Sequence, residues 1–100
     1  MKLRHIYYVY IVLCKDDSYD TGMTNNIERR IEEHNDGVDP TCYTFSRRPV
    51  TLLYTENYQF ADDAIKREKQ IKKWTRKKKE ALMAEDYEQL IALSKGISKA

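Results

Sequence analysis

The segment from Ile6 to Leu13 constrains the fold more than any other, because every position in it is apolar or aromatic. Val, Ile and Tyr favour extended structure, so we predict a strand from Ile6 to Cys14. Side chains alternate between the two faces of a strand, and here both faces are apolar. The segment therefore predicts a central strand that is covered on both sides. It is too short to span a bilayer, which takes about 20 apolar residues.

A turn and a second strand follow directly. Lys15 to Ser18 form a cluster of turn residues, and Tyr19 to Thr24 then predict the other arm of a hairpin. Gly22 inside that arm indicates the close approach of another backbone or of a ligand.

The first helix has signals at both ends. Asn25 followed by Glu28 predicts an N-cap with a carboxylate at N3, and Gly37 predicts the C-cap. The helix should therefore run from about Ile27 to Asp36. Residues 37–49 contain two prolines and a glycine, which predicts an irregular segment.

The second half of the chain predicts one strand and three helices. The strand should cover Val50 to Tyr58. Asp62 or Asp63 should cap a helix that runs to about Trp74. Two further helices should run from Thr75 to Ala84 and from Asp86 onward.

Length and composition indicate one intracellular domain. No repeat or linker divides residues 1–94, and residues 95–100 should fray. The N-terminus lacks an apolar stretch with a signal-peptide cleavage site, which predicts a cytoplasmic location away from membranes. Cys14 and Cys42 are predicted to be free thiols, because two cysteines are too few for a disulfide scaffold and lack zinc-site spacing.

Positive charge is concentrated in residues 66–79, which hold nine of the 18 Lys and Arg residues but one of the 16 acidic residues. The rest of the chain is net acidic. One basic segment in such a chain is typical of a protein that binds a polyanion, and Trp74 within it favours nucleic acid. A helix with a solvated basic face is the simpler alternative.

Arg30 and His34 lie one helical turn apart, close to the face that carries Ile27 and Ile31. They should therefore lie at the margin of the buried stripe. An arginine in that position favours an anionic partner, and its planar guanidinium suits phosphate. Taken alone, the pair is better explained by a snorkelling arginine and a packed histidine.

Glu68 falls inside the apolar face that Ala64, Ile65 and Ile71 define on the long helix. A carboxylate directed at a core needs an arginine or a metal ion as its partner. The alternative is an ion pair with Lys72, four residues further along the helix.

Together these segments resemble the GIY-YIG nuclease superfamily. Tyr8-Val9-Tyr10 and Asp20-Thr21-Gly22 stand at the two signature tripeptides. Segment 25–35 resembles the arginine–histidine helix, and segment 64–74 the helix with the metal-binding glutamate. The resemblance covers residues 6 to about 94. It is especially close to the small stand-alone bacterial branch, the YhbQ/YazA-like proteins.

The resemblance implies a three-stranded antiparallel sheet flanked by helices, and hydrolysis of phosphodiester bonds by metal-activated water. Tyr10 would orient or deprotonate the water, and Arg30 would contact the scissile phosphate. His34 would assist proton transfer, and Glu68 would hold one Mg²⁺ or Mn²⁺ ion. The implied protein is a structure-selective DNA endonuclease with a role in DNA repair or processing.

The expected contacts to nucleic acid, DNA rather than RNA, are one aromatic and five cationic side chains: Tyr43, Arg47, Arg48, Lys69, Lys72 and Lys73. Tyr43 could instead simply pack. Phe45-Ser46 replaces the Arg-Gly pair often seen in the family, which removes one phosphate contact. A protein partner is possible, and the sequence leaves the oligomeric state open.

Asp20 departs from the family pattern, because it stands where the second signature tyrosine belongs. Tyr19 should point to the opposite face of the strand unless a bulge turns it. Tyr10 can suffice as the base, Asp20 can act as an ionised base or extra metal ligand, or the site is impaired. Impairment would leave a nucleic-acid-binding module, and a protein–protein adaptor is a third possibility.

Overall fold

The structure, a computed structural model, describes residues 6–95 as one antiparallel sheet flanked by helices. The strands are β1 (Tyr7–Leu13), β2 (Tyr19–Thr24) and β3 (Thr51–Tyr58), in the order β2-β1-β3. The helices are α1 (Ile27–Asp36), α2 (Ala61–Lys72), α3 (Arg76–Met83) and α4 (Tyr87–Lys95), with a 3-10 turn at Phe45–Arg47. The predicted α+β class and three-stranded antiparallel sheet are confirmed. Fraying was predicted for residues 95–100, and all of these except Lys95 lie outside the described residues.

β1 is the central strand and is covered on both faces, as its composition predicted. One face packs against α2 and α3 in a cluster formed by Val9, Ile11, Ala64, Ile71 and Leu82. The other face packs against α1 in a cluster formed by Tyr10, Val12, Cys14 and Val50, together with Ile27 and Ile31. The sheet thus separates two packing layers, here called the α1 face and the α2 face.

α1 is capped at both ends. Its N-cap is Asn26, whose side chain accepts a hydrogen bond from a backbone N–H three residues on, so the prediction of Asn25 was wrong by one residue. Gly37 ends the helix with a φ of 67°, as predicted. Asn35 joins this end to β3, because its side chain bonds Val50 N at 2.7 Å and Val50 O at 3.3 Å. β3 begins at Thr51, whereas the sequence predicted that the strand begins at Val50.

α2 lacks the predicted side-chain cap. Phe60 occupies the N-cap position, and Asp62 and Asp63 lie instead in the first turn, where the helix dipole favours negative charge. The helix also ends two residues earlier than predicted. The last two helices begin within one residue of Thr75 and Asp86, their predicted starts, and each of these side chains accepts a backbone N–H at 3.2 Å. Among residues 6–95, no helix has the length and apolarity that a membrane crossing needs.

Candidate active site

Tyr10 lies at the centre of the candidate site, on the α1 face of β1. Its direct partner on β2 is Gly22. A Cβ atom at Gly22 would lie 2.6 Å from Tyr10 Cζ, so only glycine leaves room for the phenol. The close approach predicted at Gly22 is therefore made by a side chain of the neighbouring strand rather than by its backbone.

Arg30 and His34 of α1 converge on the Tyr10 hydroxyl. His34 Nε2 lies 2.8 Å from the phenol oxygen, and Arg30 Nε donates to that oxygen across 3.4 Å. Tyr10 is 1% exposed and His34 4% exposed, so their contact is shielded from water. The histidine is packed, as the simpler explanation required, but the arginine bonds inward to the phenol.

The Arg30 guanidinium is held at two further points. Nη1 pairs with Glu33 Oε1 at 3.2 Å, and Nη2 contacts the sulfur of Cys42 at 3.7 Å. Burial alone would lower the pKa of Arg30, but its hydrogen bonds and the charge of Tyr10 raise that pKa above the ordinary value. The side chain remains 31% exposed, and each Nη has a second N–H. Arg30 therefore keeps donors for an anion. Cys42 and Cys14 are free thiols, as predicted.

His34 and Tyr10 have shifted acid–base properties. Burial and the charge of Arg30 lower the pKa of His34, so its imidazole is neutral at neutral pH. Burial raises the pKa of Tyr10, while the hydrogen bond and charge of Arg30 act in the opposite direction. The other imidazole nitrogen, Nδ1, lies 2.6 Å from Thr44 Oγ1. The sequence did not indicate Thr44, because an irregular segment has no periodicity that tells which side chains turn inward.

Asp20 lies on the same face of the sheet as Tyr10, as the strand register requires. Burial raises the pKa of the Asp20 carboxyl, and three nearby cationic or titratable groups oppose this rise: Lys72, His34 and Lys79. The carboxyl group therefore lies beside the Tyr10 network and near cations of α2 and α3. The sequence did not single out Lys79, which comes from a different helix.

Tyr19 points away from the site, as its alternation with Asp20 predicted. Its hydroxyl donates to Glu80 Oε2 at 2.9 Å, and Arg76 stacks on its ring with 4.1 Å between Cζ and the ring centroid. The pairing of β1 with β2 is continuous in register. Tyr19 therefore does not replace the signature tyrosine.

Glu68 forms an ion pair with Lys72, with 3.0 Å between Oε2 and Nζ. This is the alternative that the four-residue spacing predicted. The Glu68 side chain is nevertheless only 17% exposed, so the pair lies at the margin of the core. The hydrogen bond to Glu68 raises the pKa of Lys72, whose charge also acts on Asp20. Lys72 thus connects Glu68 electrostatically with the Asp20 side of the site. Within residues 6–95, Glu68 makes no hydrogen bond to Tyr10 or Arg30.

The available donors suit a hard divalent cation held partly by its substrate. Across the described residues, no three His, Cys, Asp or Glu side chains cluster as a ligand set. Mg²⁺ is commonly bound by one or two carboxylates together with waters and a substrate phosphate. The carboxylate of Glu68 fits such a site, provided that Lys72 gives up its ion pair.

The two arginines predicted to contact nucleic acid are engaged within the protein. Arg47 bonds Asp16 Oδ2 at 3.0 Å and stacks on Tyr43 at 3.9 Å. Arg48 donates to the Phe45 carbonyl at 2.7 Å and stacks on that ring at 4.6 Å. Both arginines hold the irregular segment in place, while the ring of Tyr43 is 46% exposed.

Lys69 and Lys73, the C-cap residue of α2, lie exposed with Lys66 on one side of this helix, at the spacing i, i+3 and i+7. None of these three forms an ion pair within the part of the chain that the structure describes, and we call them the lysine stripe. Other cations of the basic segment are paired: Arg67 with Glu56, Lys72 with Glu68, and Arg76 with Glu80. The basic segment therefore contains cations that pair within the protein and lysines that remain available to bind an anion.

The geometry and the matched sequence blocks agree with a known family. The family model described as the GIY-YIG catalytic domain matches residues 6–81. This chain belongs to the GIY-YIG family. The matched range includes all five residues of the candidate site: Tyr10, Asp20, Arg30, His34 and Glu68. The chain therefore carries a domain of a nuclease family.

Relatives of similar size confirm the resemblance to small stand-alone GIY-YIG proteins. A UPF0213 protein of Halobacterium salinarum is 44% identical over 77% of this chain and 99% of its own length. A UPF0213 protein of Clostridium perfringens is 46% identical over 86% of this chain and 98% of its own.

Two solution NMR structures are also similar. A UPF0213 protein from Bacillus halodurans has a TM-score of 0.52 at 38% identity, covering 79% of this chain and 83% of its own. A protein from E. faecalis has a TM-score of 0.59 at 36% identity, covering 87% and 92%. The fold of this GIY-YIG chain is therefore shared with solved structures.

Proposed function

We propose that this protein is a metal-dependent endonuclease that hydrolyses phosphodiester bonds in DNA. The convergence of Arg30 and His34 on the Tyr10 hydroxyl supports the proposal most strongly. A cation in contact with a phenol favours the phenolate, and the same guanidinium can bind a phosphate oxygen. One arginine thus brings a candidate base and an anionic substrate together.

The roles in the reaction follow from the available groups. Arg30 directs its remaining N–H groups at a phosphate oxygen and stabilises the charge that develops there. Tyr10, as the phenolate, accepts a proton from the attacking water, while His34 holds the phenol in place. Glu68 would hold one Mg²⁺ or Mn²⁺ ion, which would supply neutralisation of the charge on the phosphate and the leaving oxygen.

The lysine stripe supports binding to nucleic acid without dependence on base sequence. Lysines are point charges that fit the phosphate backbone of any sequence, so they favour affinity over base recognition. We therefore propose branched, flapped or single-stranded DNA as the substrate class, with a role in DNA repair or processing in the cytoplasm. A panel that includes RNA tests the preference for DNA.

Cleavage assays of the whole chain test the enzyme proposal. Purified protein with Mg²⁺ or Mn²⁺ should nick such substrates, and a chelator should abolish the activity. Glu68→Gln keeps the size of the side chain but should remove cleavage. Glu80→Gln is the matched control, because Glu80 also pairs with a cation four residues away on a helix. A folded protein that cuts no DNA or RNA with either metal would contradict the proposal.

A nucleic-acid-binding module without efficient catalysis is the second candidate, and Asp20 at the second signature position favours it. Such a protein should bind DNA with an affinity that falls steeply with salt. Lys69→Ala and Lys73→Ala should each reduce the salt slope by about one. Asp20→Tyr should increase cleavage if Asp20 is what impairs the site, and an unchanged rate would show that it is not.

A further inference from the structure

Thr44 extends the polar network beyond the residues with a proposed role. It lies next to the 3-10 turn and is 1% exposed, with its hydroxyl 2.6 Å from His34 Nδ1. His34 Nε2 in turn lies 2.8 Å from the Tyr10 oxygen. The imidazole is therefore held at both nitrogens, by Thr44 on one side and by Tyr10 on the other.

The buried hydrogens of this network restrict where each proton can lie. Because His34 is neutral, it carries one N–H, so one nitrogen donates and the other accepts. Within residues 6–95, the Thr44 hydroxyl bonds only His34. If Nδ1 donated, the Thr44 hydrogen would be buried without an acceptor, which is unfavourable. If Nε2 donated, the hydrogen of a neutral Tyr10 phenol would lack an acceptor in the same way. Every buried hydrogen therefore has an acceptor only when Tyr10 is the phenolate, Thr44 donates to Nδ1 and the proton of His34 is on Nε2.

This arrangement, in which Tyr10 is the phenolate, determines what the phenol oxygen receives. Nε2–H donates to Tyr10, and Arg30 Nε donates to the same oxygen. Two donors then stabilise negative charge on the oxygen, and neither of them takes up the phenol's own proton. Among other groups that act on the phenol, Lys72 favours its anion, while Asp20 and Cys42 oppose it.

We propose that Thr44 is a positioning residue that holds His34 in the Nε2–H tautomer and so prepares Tyr10 to act as an anionic base. The catalytic meaning of this inference rests on the proposed endonuclease function, but the tautomer does not. Thr44 acts through His34 and has no contact with the reacting atoms.

¹⁵N NMR of the imidazoles in the whole chain tests the assignment without an activity assay. The spectrum at neutral pH should show a protonated Nε2 and an unprotonated Nδ1 for His34. The only other histidine is His5, so His34→Gln identifies the signals. A protonated Nδ1 in the native protein would overturn the proposal.

Two variants test the role of the Thr44 hydroxyl. Thr44→Val keeps the shape but should give mixed tautomers, a higher Tyr10 pKa and a cleavage rate roughly tenfold lower at neutral pH. Thr44→Ser should preserve all three. A Thr44→Val protein with an unchanged tautomer and Tyr10 titration would overturn the proposal. If Thr44→Val does not fold, the proposal is tested by the His34 tautomer of the native protein and by the tautomer and Tyr10 titration of Thr44→Ser. If the native protein shows no cleavage, the NMR result still decides the tautomer separately.

Discussion

The two faces of the sheet each contain a cluster of tyrosine, arginine and carboxylate, but a different group lies at the centre. On the α2 face, Glu56 is central and accepts hydrogen bonds from Tyr54 at 2.5 Å and Tyr58 at 2.7 Å. Arg67 donates to its two oxygens at 2.8 and 3.0 Å. All of these donors bind the Glu56 carboxylate, and its negative charge is paired with the positive charge of Arg67. We call this arrangement the Glu56 cluster.

On the α1 face, the phenol of Tyr10 is central and the charges are incompletely paired. Arg30 keeps exposed donors, and burial raises the pKa of the nearby Asp20 carboxyl. In the Glu56 cluster, burial alone would raise the pKa of Glu56, but hydrogen bonds from its arginine and tyrosine partners lower it. The comparison indicates that the same residue types can complete a core or remain available for a substrate.

Removing the arginine from each cluster should have the largest effect and should separate activity from stability. Arg30→Ala is expected to reduce cleavage about 100- to 1000-fold, because phosphate charge loses a positioned donor. Arg67→Ala is expected to lower the free energy of unfolding by about 3 kcal/mol, because Glu56 stays mostly buried without its cation. Cleavage kinetics and urea denaturation of both variants measure the two effects. An Arg30→Ala protein that cuts normally would remove the distinction between the clusters.

Gly22→Ala should disturb the α1 face by a smaller amount. The new methyl group overlaps the Tyr10 ring, so we expect a loss of about 1–3 kcal/mol in unfolding free energy together with reduced cleavage. Gly37→Ala is the control, because a φ of 67° disfavours alanine and the methyl group would displace the far end of the Arg48 side chain, which together should cost about 1–2 kcal/mol. Denaturation and cleavage assays should show that the control loses stability but not activity. Normal cleavage by Gly22→Ala would mean that the Tyr10 position is not critical.

The smallest expected effect concerns pH and the two carboxyl groups. Glu56 has a lowered pKa, so its contribution to stability is present above its unfolded pKa and is lost as pH falls through the folded pKa. Asp20 has a raised pKa, so its contribution is present below its unfolded pKa and is lost as pH rises through the folded pKa. At neutral pH, Glu56→Gln should therefore destabilise the protein and Asp20→Asn should slightly stabilise it.

Both differences should shrink as the pH falls and the carboxyl groups become protonated, Asp20 before Glu56 because burial raises the pKa of Asp20 whereas hydrogen bonds lower that of Glu56. Urea denaturation at neutral and acidic pH measures them. An Asp20→Asn variant that is less stable at neutral pH would show that Asp20 is favourably paired in the folded protein.

Local sequence signals predicted much of the fold because they act over a few residues. The two apolar faces of β1, the C-cap at Gly37 and the start of α3 beside Thr75 each depend on neighbouring positions. The first cap of α1 was misplaced because Asn25 and Asn26 are adjacent and chemically identical. For the site, the resemblance named Tyr10, and the structure places this residue against Arg30 and His34.

By itself, the sequence determined the elements, the central position of β1 and the family to which the chain belongs. Only the tertiary structure decided which distant polar groups meet. Tyr10 and His34 are 24 residues apart, and their contact depends on how α1 packs across β1. The same holds for Thr44 beneath His34 and for Arg67 on Glu56. Such contacts arise from strand register and helix orientation, which involve the whole core and leave no periodic signal in any one segment.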